Sequence, residues 1–218
     1  MKEILKFLEL LSGNNNREWF EANKPMYQSA KSLYETLITN TITGIGAFDS
    51  SIGHPLAKDC LFRIFRDVRF SKDKAPYKTN FGAFIASGGR KSPKSGYYIH
   101  IEPGKSFIGG GIYMPQPDVL KKLRQEVYFN APELRAILSE KKFKSTFGAL
   151  GDWDKLKRPP KDFPADFEHI DLLMYKSYAV GHNLKDEEIL EDSFPEKILE
   201  VCKTMKPLND FLNRAAEA

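Results

Sequence analysis

The sequence predicts an α+β domain: a mainly antiparallel β-sheet flanked by helices from both ends of the chain. Three observations predict it. Apolar residues recur at helical spacing from Trp19 to Ile45 and again from Ile198 to Met205. Between Cys60 and Tyr113 the pattern changes to short segments rich in aromatic and β-branched residues. The connections among those segments are too short for crossover helices, so the pairing should be largely antiparallel. The 218 residues suit one domain, 1–218, with no internal repeat and no clear linker.

The elements follow in order. Asn15, with Glu18 three residues on, resembles a capping box before a helical stretch. Pro25 interrupts that stretch and belongs in the first turn of a second, longer helix, which Gly44 and Gly46 end. Residues 50–55 read as a loop. Strands are expected at 60–66, 80–87, 96–102 and 106–113, separated by Gly, Pro, Ser and Lys clusters. Pro117 starts a helix whose apolar stripe is Val119, Leu120, Leu123 and Val127, and a shorter helix follows Pro132. Residues 148–168 are irregular, and 172–180 form a further strand. Ser193 with Glu196 caps a last helix, bent or broken at Pro207.

Composition excludes several classes. At 41% hydrophobic and 28% charged, the chain is neither disordered nor fibrous. Two cysteines, Cys60 and Cys202, are too few for a disulfide framework or a thiolate zinc site. Lys6 and Glu9 break the apolar N-terminal stretch, and no run of about 18 apolar residues occurs. A cytoplasmic protein with reduced thiols and no membrane contact is the expectation. The four histidines show no metal-ligand spacing, and no cofactor fingerprint or nucleophile motif is present.

The net charge of +4 is unevenly placed. Residues 58–105 hold eleven Lys and Arg against Asp59, Asp67, Asp73 and Glu102, so this segment is strongly cationic while the rest is mildly anionic. Concentrated positive charge suggests an anionic partner, with a solvated basic face as the plainer reading.

Within it, LFRIFRDVRFSKDKAPYKTNF interleaves Arg63, Arg66, Arg69, Lys72, Lys74 and Lys78 with aromatic residues. If residues 61–70 are extended, Arg66 shares a face with Phe62, Ile64, Val68 and Phe70, where an arginine must be paired or bind something. The two readings are an Arg–Asp bridge fixing a strand and a pocket whose guanidinium groups grip a phosphate or carboxylate. SKDKAPYK reads as a turn hanging lysines over the arginines.

GYYIHIEPG places Tyr98, His100 and Glu102 on one strand face, a row able to perform acid–base work, or simply a polar exposed face. Direct pairing of His100 with Glu102 would need a bulge or a bridging water. The triplet Gly109–Gly111 marks a bulge or a place where a ligand approaches the backbone.

The stretches NNNREWFEANKPMY, CLFRIFRDVRFSKDKAPYKTNFGAFI, GYYIHIEPG, GGGIYMPQPDVLKKLRQ, LKRPPKDF and KPLNDFLNRA resemble, over nearly the whole chain, the family called domain of unknown function 2461. Asp162 stands where that family's pattern often has Gly. The resemblance carries no catalytic, metal or cofactor residue with it, so the functional expectation rests on the residues. That expectation is an anionic small molecule bound above the sheet by Arg63, Arg66, Arg69, Lys72, Lys74, Lys78 and Tyr98. His100 and Glu102 are the candidate acid–base pair of a hydrolase or transferase. A nucleic-acid-binding module and a structural or partner-binding domain are the rivals.

Overall fold

A computed structural model describes the backbone of residues 1–217 and the side chains as far as Ala215. Three helices open the chain: α1 (Lys2–Gly13), α2 (Arg17–Ala22) and α3 (Lys24–Gly46). The cap of α2 is Asn16, whose Oδ1 accepts from the Trp19 amide at 2.9 Å, one residue beyond the expected Asn15. Asn15 instead holds both backbone groups of Tyr77, at 3.0 and 3.1 Å. Pro25 lies in the first turn of α3, where its missing N–H costs nothing.

A short 3-10 turn (Ser50–Ile52) and α4 (Ala57–Cys60) lead to the sheet. Its strands are β1 (Phe81–Ile85), β2 (Gly96–Ile101), β3 (Phe107–Ile112) and β4 (Tyr178–Asn183), in spatial order β1-β2-β3-β4 with every pair antiparallel. A second 3-10 turn, Gly89–Lys91, follows β1. Helices α5 (Pro117–Phe129), α6 (Ala131–Ser139), α7 (Lys141–Phe147) and α8 (Ile170–Leu173) intervene between β3 and β4. Two more follow, α9 (Asp186–Leu190) and α10 (Phe194–Glu217).

The expected strand at 60–66 is not a strand. Leu61 pairs with Ala83 and the Phe62 amide donates to the Gly82 carbonyl, but the chain then leaves the edge of β1. It turns to pair with residues 76–78 through an isolated bridge, Phe65 with Tyr77. Two partners in succession leave no continuous ladder. Residues 172–177 likewise divide between α8 and a turn, so β4 begins only at Tyr178.

Strand alternation separates two sheet faces. Ala83, Tyr97, Ile99, Ile108 and Tyr178 are fully buried on one. Helices α3 and α10 pack there, and the Tyr34 hydroxyl of α3 donates to the Ile99 carbonyl at 2.8 Å. Gly110 lies where α10 crosses closest: a Cβ there would stand 2.3 Å from Met205 Sδ and 2.2 Å from the Gly96 carbonyl oxygen. Close helix–sheet packing is therefore what the central glycine of the triplet serves. The register puts Gly82, Phe84, Tyr98, His100 and Phe107 together on the opposite face.

Helix α10 is bound to the sheet by polar contacts as well. Ser95 Oγ donates to Asn209 Oδ1 at 2.6 Å, and the Ser95 amide donates to Asn213 Oδ1 at 2.8 Å. The helix runs through Pro207 without ending. Both Pro207 and Lys203, whose carbonyl faces the missing N–H, lie on the exposed side of the helix. Ser193, just before α10, directs its hydroxyl to Glu191.

Candidate functional site: a basic cleft and a hydrogen-bonded relay

Beside the outer edge of β1 lies a cleft of about 510 Å³. Helix α3 forms one wall, and the chain from α4 to Phe65 forms the other. The residues before and after β1 close its ends. Six cations line it: Lys31 from α3, Lys58 from α4, Arg63, Lys78, and Arg90 with Lys91 from the 3-10 turn. Glu35 is the one carboxylate among the lining residues.

Arg90 donates to the backbone carbonyls of Lys58 and Asp59 at 3.2 and 2.9 Å, fixing the turn against α4. Among the described residues, the side chains of Lys31, Lys58, Arg63 and Lys91 make no hydrogen bond or ion pair. Lys78 lies over the Phe62 ring at 5.5 Å. Burial, and then the neighbouring Arg63 charge, push its ammonium below the ordinary lysine value. Positive charge in the cleft is thus under-compensated. The aromatic part of the wall is Tyr27, Tyr34, Phe62, Phe65 and Phe81.

The second arrangement lies on the opposite face of β2, where alternation sends Tyr98, His100 and Glu102 to one side. Glu102 follows the last strand residue, and His100 Nε2 reaches its Oε2 at 3.1 Å with neither bulge nor bridge. Thr79 donates to Glu102 Oε1 at 2.7 Å. Burial works to raise the Glu102 carboxyl, but the hydrogen bonds from Thr79 and His100 prevail and hold it below its ordinary value. An ionised carboxylate only accepts, so Nε2 is assigned the imidazole proton. Nδ1 is then an acceptor, with the Tyr98 hydroxyl at 3.1 Å and Asn80 Nδ2 at 3.4 Å.

Burial lowers the His100 pKa while Glu102 opposes, and the net direction is down, so the ring is neutral near pH 7. Burial, with the Glu102 charge, pushes the Tyr98 phenol up to about 12. Phe107 stacks on His100 at 4.7 Å, and Phe62 and Phe107 flank Tyr98. The result is a carboxylate–imidazole–phenol hydrogen-bonded chain in a largely apolar setting, in which the phenol holds its proton far more tightly than the imidazole would.

The basic residues singled out from the sequence separate in space. Arg63 and Lys78 line the cleft. Arg66 binds Asp73, the Ala75 carbonyl and Ser71 Oγ, closing the 66–75 turn. It also borders a second hollow, of about 420 Å³, with Lys78, Thr79 and Asn80. Arg69 grips Asp67 through Nε and Nη2 at 3.0 and 2.7 Å, and Lys74 donates to the Val68 carbonyl at 3.0 Å. Lys72 is exposed on the turn. The apolar face expected around Arg66 does not exist, because Ile64 is buried whereas Phe70 is 96% exposed. Tyr98 and His100 lie outside the cleft lining, with the Phe62 ring between Tyr98 and the cleft.

The family model for conserved hypothetical protein DUF2461 matches residues 3–211. The chain belongs to the DUF2461 family. No curated protein and no solved structure matches it. In this DUF2461 chain the cleft residues that the sequence reading missed are Lys31, Glu35, Lys58, Arg90 and Lys91. Lys58, Arg90 and Lys91 fall within the cationic segment 58–105, which was the available signal. Lys31 and Glu35 stand on the polar face of α3, where nothing local distinguishes them from solvated charges. Among the described residues, no group of three or more His, Cys, Asp or Glu could hold a metal ion, and no helix is long and apolar enough to cross a membrane.

Proposed function

We propose that the protein binds an anionic small molecule, bearing phosphate or carboxylate, in the basic cleft beside β1. The observation that carries this reading is the charge of the lining: six cations to one carboxylate, with four of the cations making no hydrogen bond or ion pair among the described residues. Like charges converging on a hollow repel, and an anion relieves that repulsion while engaging several charge-assisted donors. Isothermal titration with inorganic phosphate, pyrophosphate and a tricarboxylate tests it. Arg63→Ala should weaken binding by about 10-fold or more, as expected for losing a charged hydrogen bond. Arg66→Ala, outside the cleft, should leave the affinity unchanged. No saturable binding of any of these anions would refute the reading.

A hydrolase or transferase reading draws on one further observation. His100 is paired with Glu102 and lies within electrostatic range of Lys78, a cleft residue. For His100 to take a proton through Tyr98 from a cleft-bound ligand, the Phe62 ring that stands between them has to swing aside on binding, with Lys78 then holding the developing negative charge. With a phosphoryl or acyl ester as substrate, His100→Gln should abolish turnover at unchanged ligand affinity. Full turnover in that variant excludes the acid–base role.

A further inference from the structure

The cleft is too large and too aromatic for a bare anion. We propose that its ligand is a phosphorylated planar heterocycle of nucleotide size, with the phosphate on the Arg63–Lys78 side and the ring against Phe62 and Phe65. This rests on the anion-binding reading and adds the chemistry of the ligand's body.

Three observations carry it. First, about 510 Å³ lies in the range of hollows that enclose whole small molecules, not single ions. Second, Phe62 and Phe65 are 38% and 49% exposed although both line the hollow. Phe65 spends one side on Tyr77 and Phe20, at 5.5 and 6.0 Å, and leaves the remainder of its ring to water. An inorganic anion would leave both rings wet, whereas a flat ring would cover them. Third, Glu35 is half-buried in the facing α3 wall, and among the described residues its carboxylate makes no hydrogen bond or ion pair, not even with Lys31 one turn away. A carboxylate facing a bare anion is repulsive. Facing the hydroxyl or exocyclic amino groups of a nucleotide-like body, it is an acceptor.

The test is titration calorimetry at fixed ionic strength with the four ribonucleoside 5′-monophosphates, the matched nucleosides, ribose 5-phosphate and inorganic phosphate. At least one mononucleotide should bind roughly 10-fold or more tightly than ribose 5-phosphate, the scale of one base stacked on an aromatic side chain. Phe65→Leu, checked for unchanged melting temperature, should shrink that ratio while leaving ribose 5-phosphate binding intact. Equal affinities for ribose 5-phosphate and every mononucleotide overturn the planar-ring proposal and leave anion binding standing. Binding of none of the phosphates overturns both. A mixed 20-mer oligonucleotide that binds more tightly than any mononucleotide, with a slope near −0.7 per phosphate contact against log salt, overturns the small-ligand proposal in favour of a nucleic-acid surface.

Discussion

The hydroxyl of Tyr98 occupies the place of the side chain that Gly82 lacks: a Cβ at position 82 would stand 2.5 Å from Tyr98 Oη. Gly82 is the register partner of His100, so the missing side chain on β1 is what lets Tyr98 lean across and reach the His100 ring. Gly82→Ala should force the phenol away and break its bond to Nδ1. A bond donated to Nδ1 favours the neutral imidazole, so its loss should raise the His100 pKa, although burial still holds it down. The stability cost should be about 1–2 kcal/mol, because the flexible end of a side chain can yield. Proton NMR titration of the imidazole decides the matter, and an unmoved pKa would show that Tyr98 does not act on His100.

The relay was largely legible in GYYIHIEPG, because strand alternation alone places Tyr98, His100 and Glu102 in one row. Their direct contact was not, since it depends on Glu102 lying just past the end of β2. The cleft was legible only as a cationic stretch. Its walls come from α3, α4 and a turn after β1, and no local pattern says which lysines of a polar helix face will converge. The arginine run misled for a related reason. Alternation assumes a continuous strand, and residues 61–66 change partners midway, so Arg66 and Arg69 turn to Asp73 and Asp67 instead of sharing a pocket with Arg63.

Arg63 and Arg66 should therefore separate experimentally. Arg66→Ala removes the group that ties Asp73, Ala75 and Ser71 together, so amide exchange in residues 67–75 should accelerate. Arg63→Ala should leave exchange in that turn unchanged and affect only anion binding. Exchange mass spectrometry on both variants reads this directly. Equal loosening of the turn by both would show that the two arginines act as one cluster.

Both thiols should be inert in the native protein. Cys60 and Cys202 are fully buried, and burial pushes Cys60 to about 11 and Cys202 well above its ordinary value. The thiolate is the reactive form, so a disulfide reagent should modify neither cysteine until the chain unfolds in denaturant. Stoichiometric labelling under native conditions, faster than global unfolding, would contradict this burial.

The seam between α10 and β2 should depend on Asn209, which is 1% exposed. It accepts from Ser95 Oγ and donates from Nδ2 to the Gly96 carbonyl at 3.3 Å. Asn209→Leu would strand the Ser95 hydroxyl in an apolar seam, a loss of about 1–3 kcal/mol. In the double variant Asn209→Leu with Ser95→Ala, the unsatisfied hydroxyl is gone, and part of that loss should return. Denaturant midpoints of the two single variants and the double variant measure the coupling. Strictly additive losses would mean that the two side chains do not act together.

The relay should also leave a mark on the pH dependence of stability. His100 is held below its ordinary 6.5 mainly by burial, and the groups acting on its ring are Tyr98, Asn80, Glu102 and Lys78. Between the folded and unfolded pKa values the unfolded chain carries more protons at this site. Stability therefore rises with pH in that window, and the contribution is lost as pH falls from about 6.5 through the folded value. Glu102, held below its ordinary carboxyl value, works in the same direction in more acid solution, since its contribution is present above that value and lost below it. Urea denaturation of the wild type and of His100→Gln at about pH 7.5 and about pH 5.5 isolates the histidine, because glutamine does not titrate and few free carboxyls gain protons across this interval. The wild type should lose more stability than the variant on acidification. Parallel losses in the two proteins would mean that the imidazole titrates as it does in the unfolded chain, and that burial does not push its pKa down.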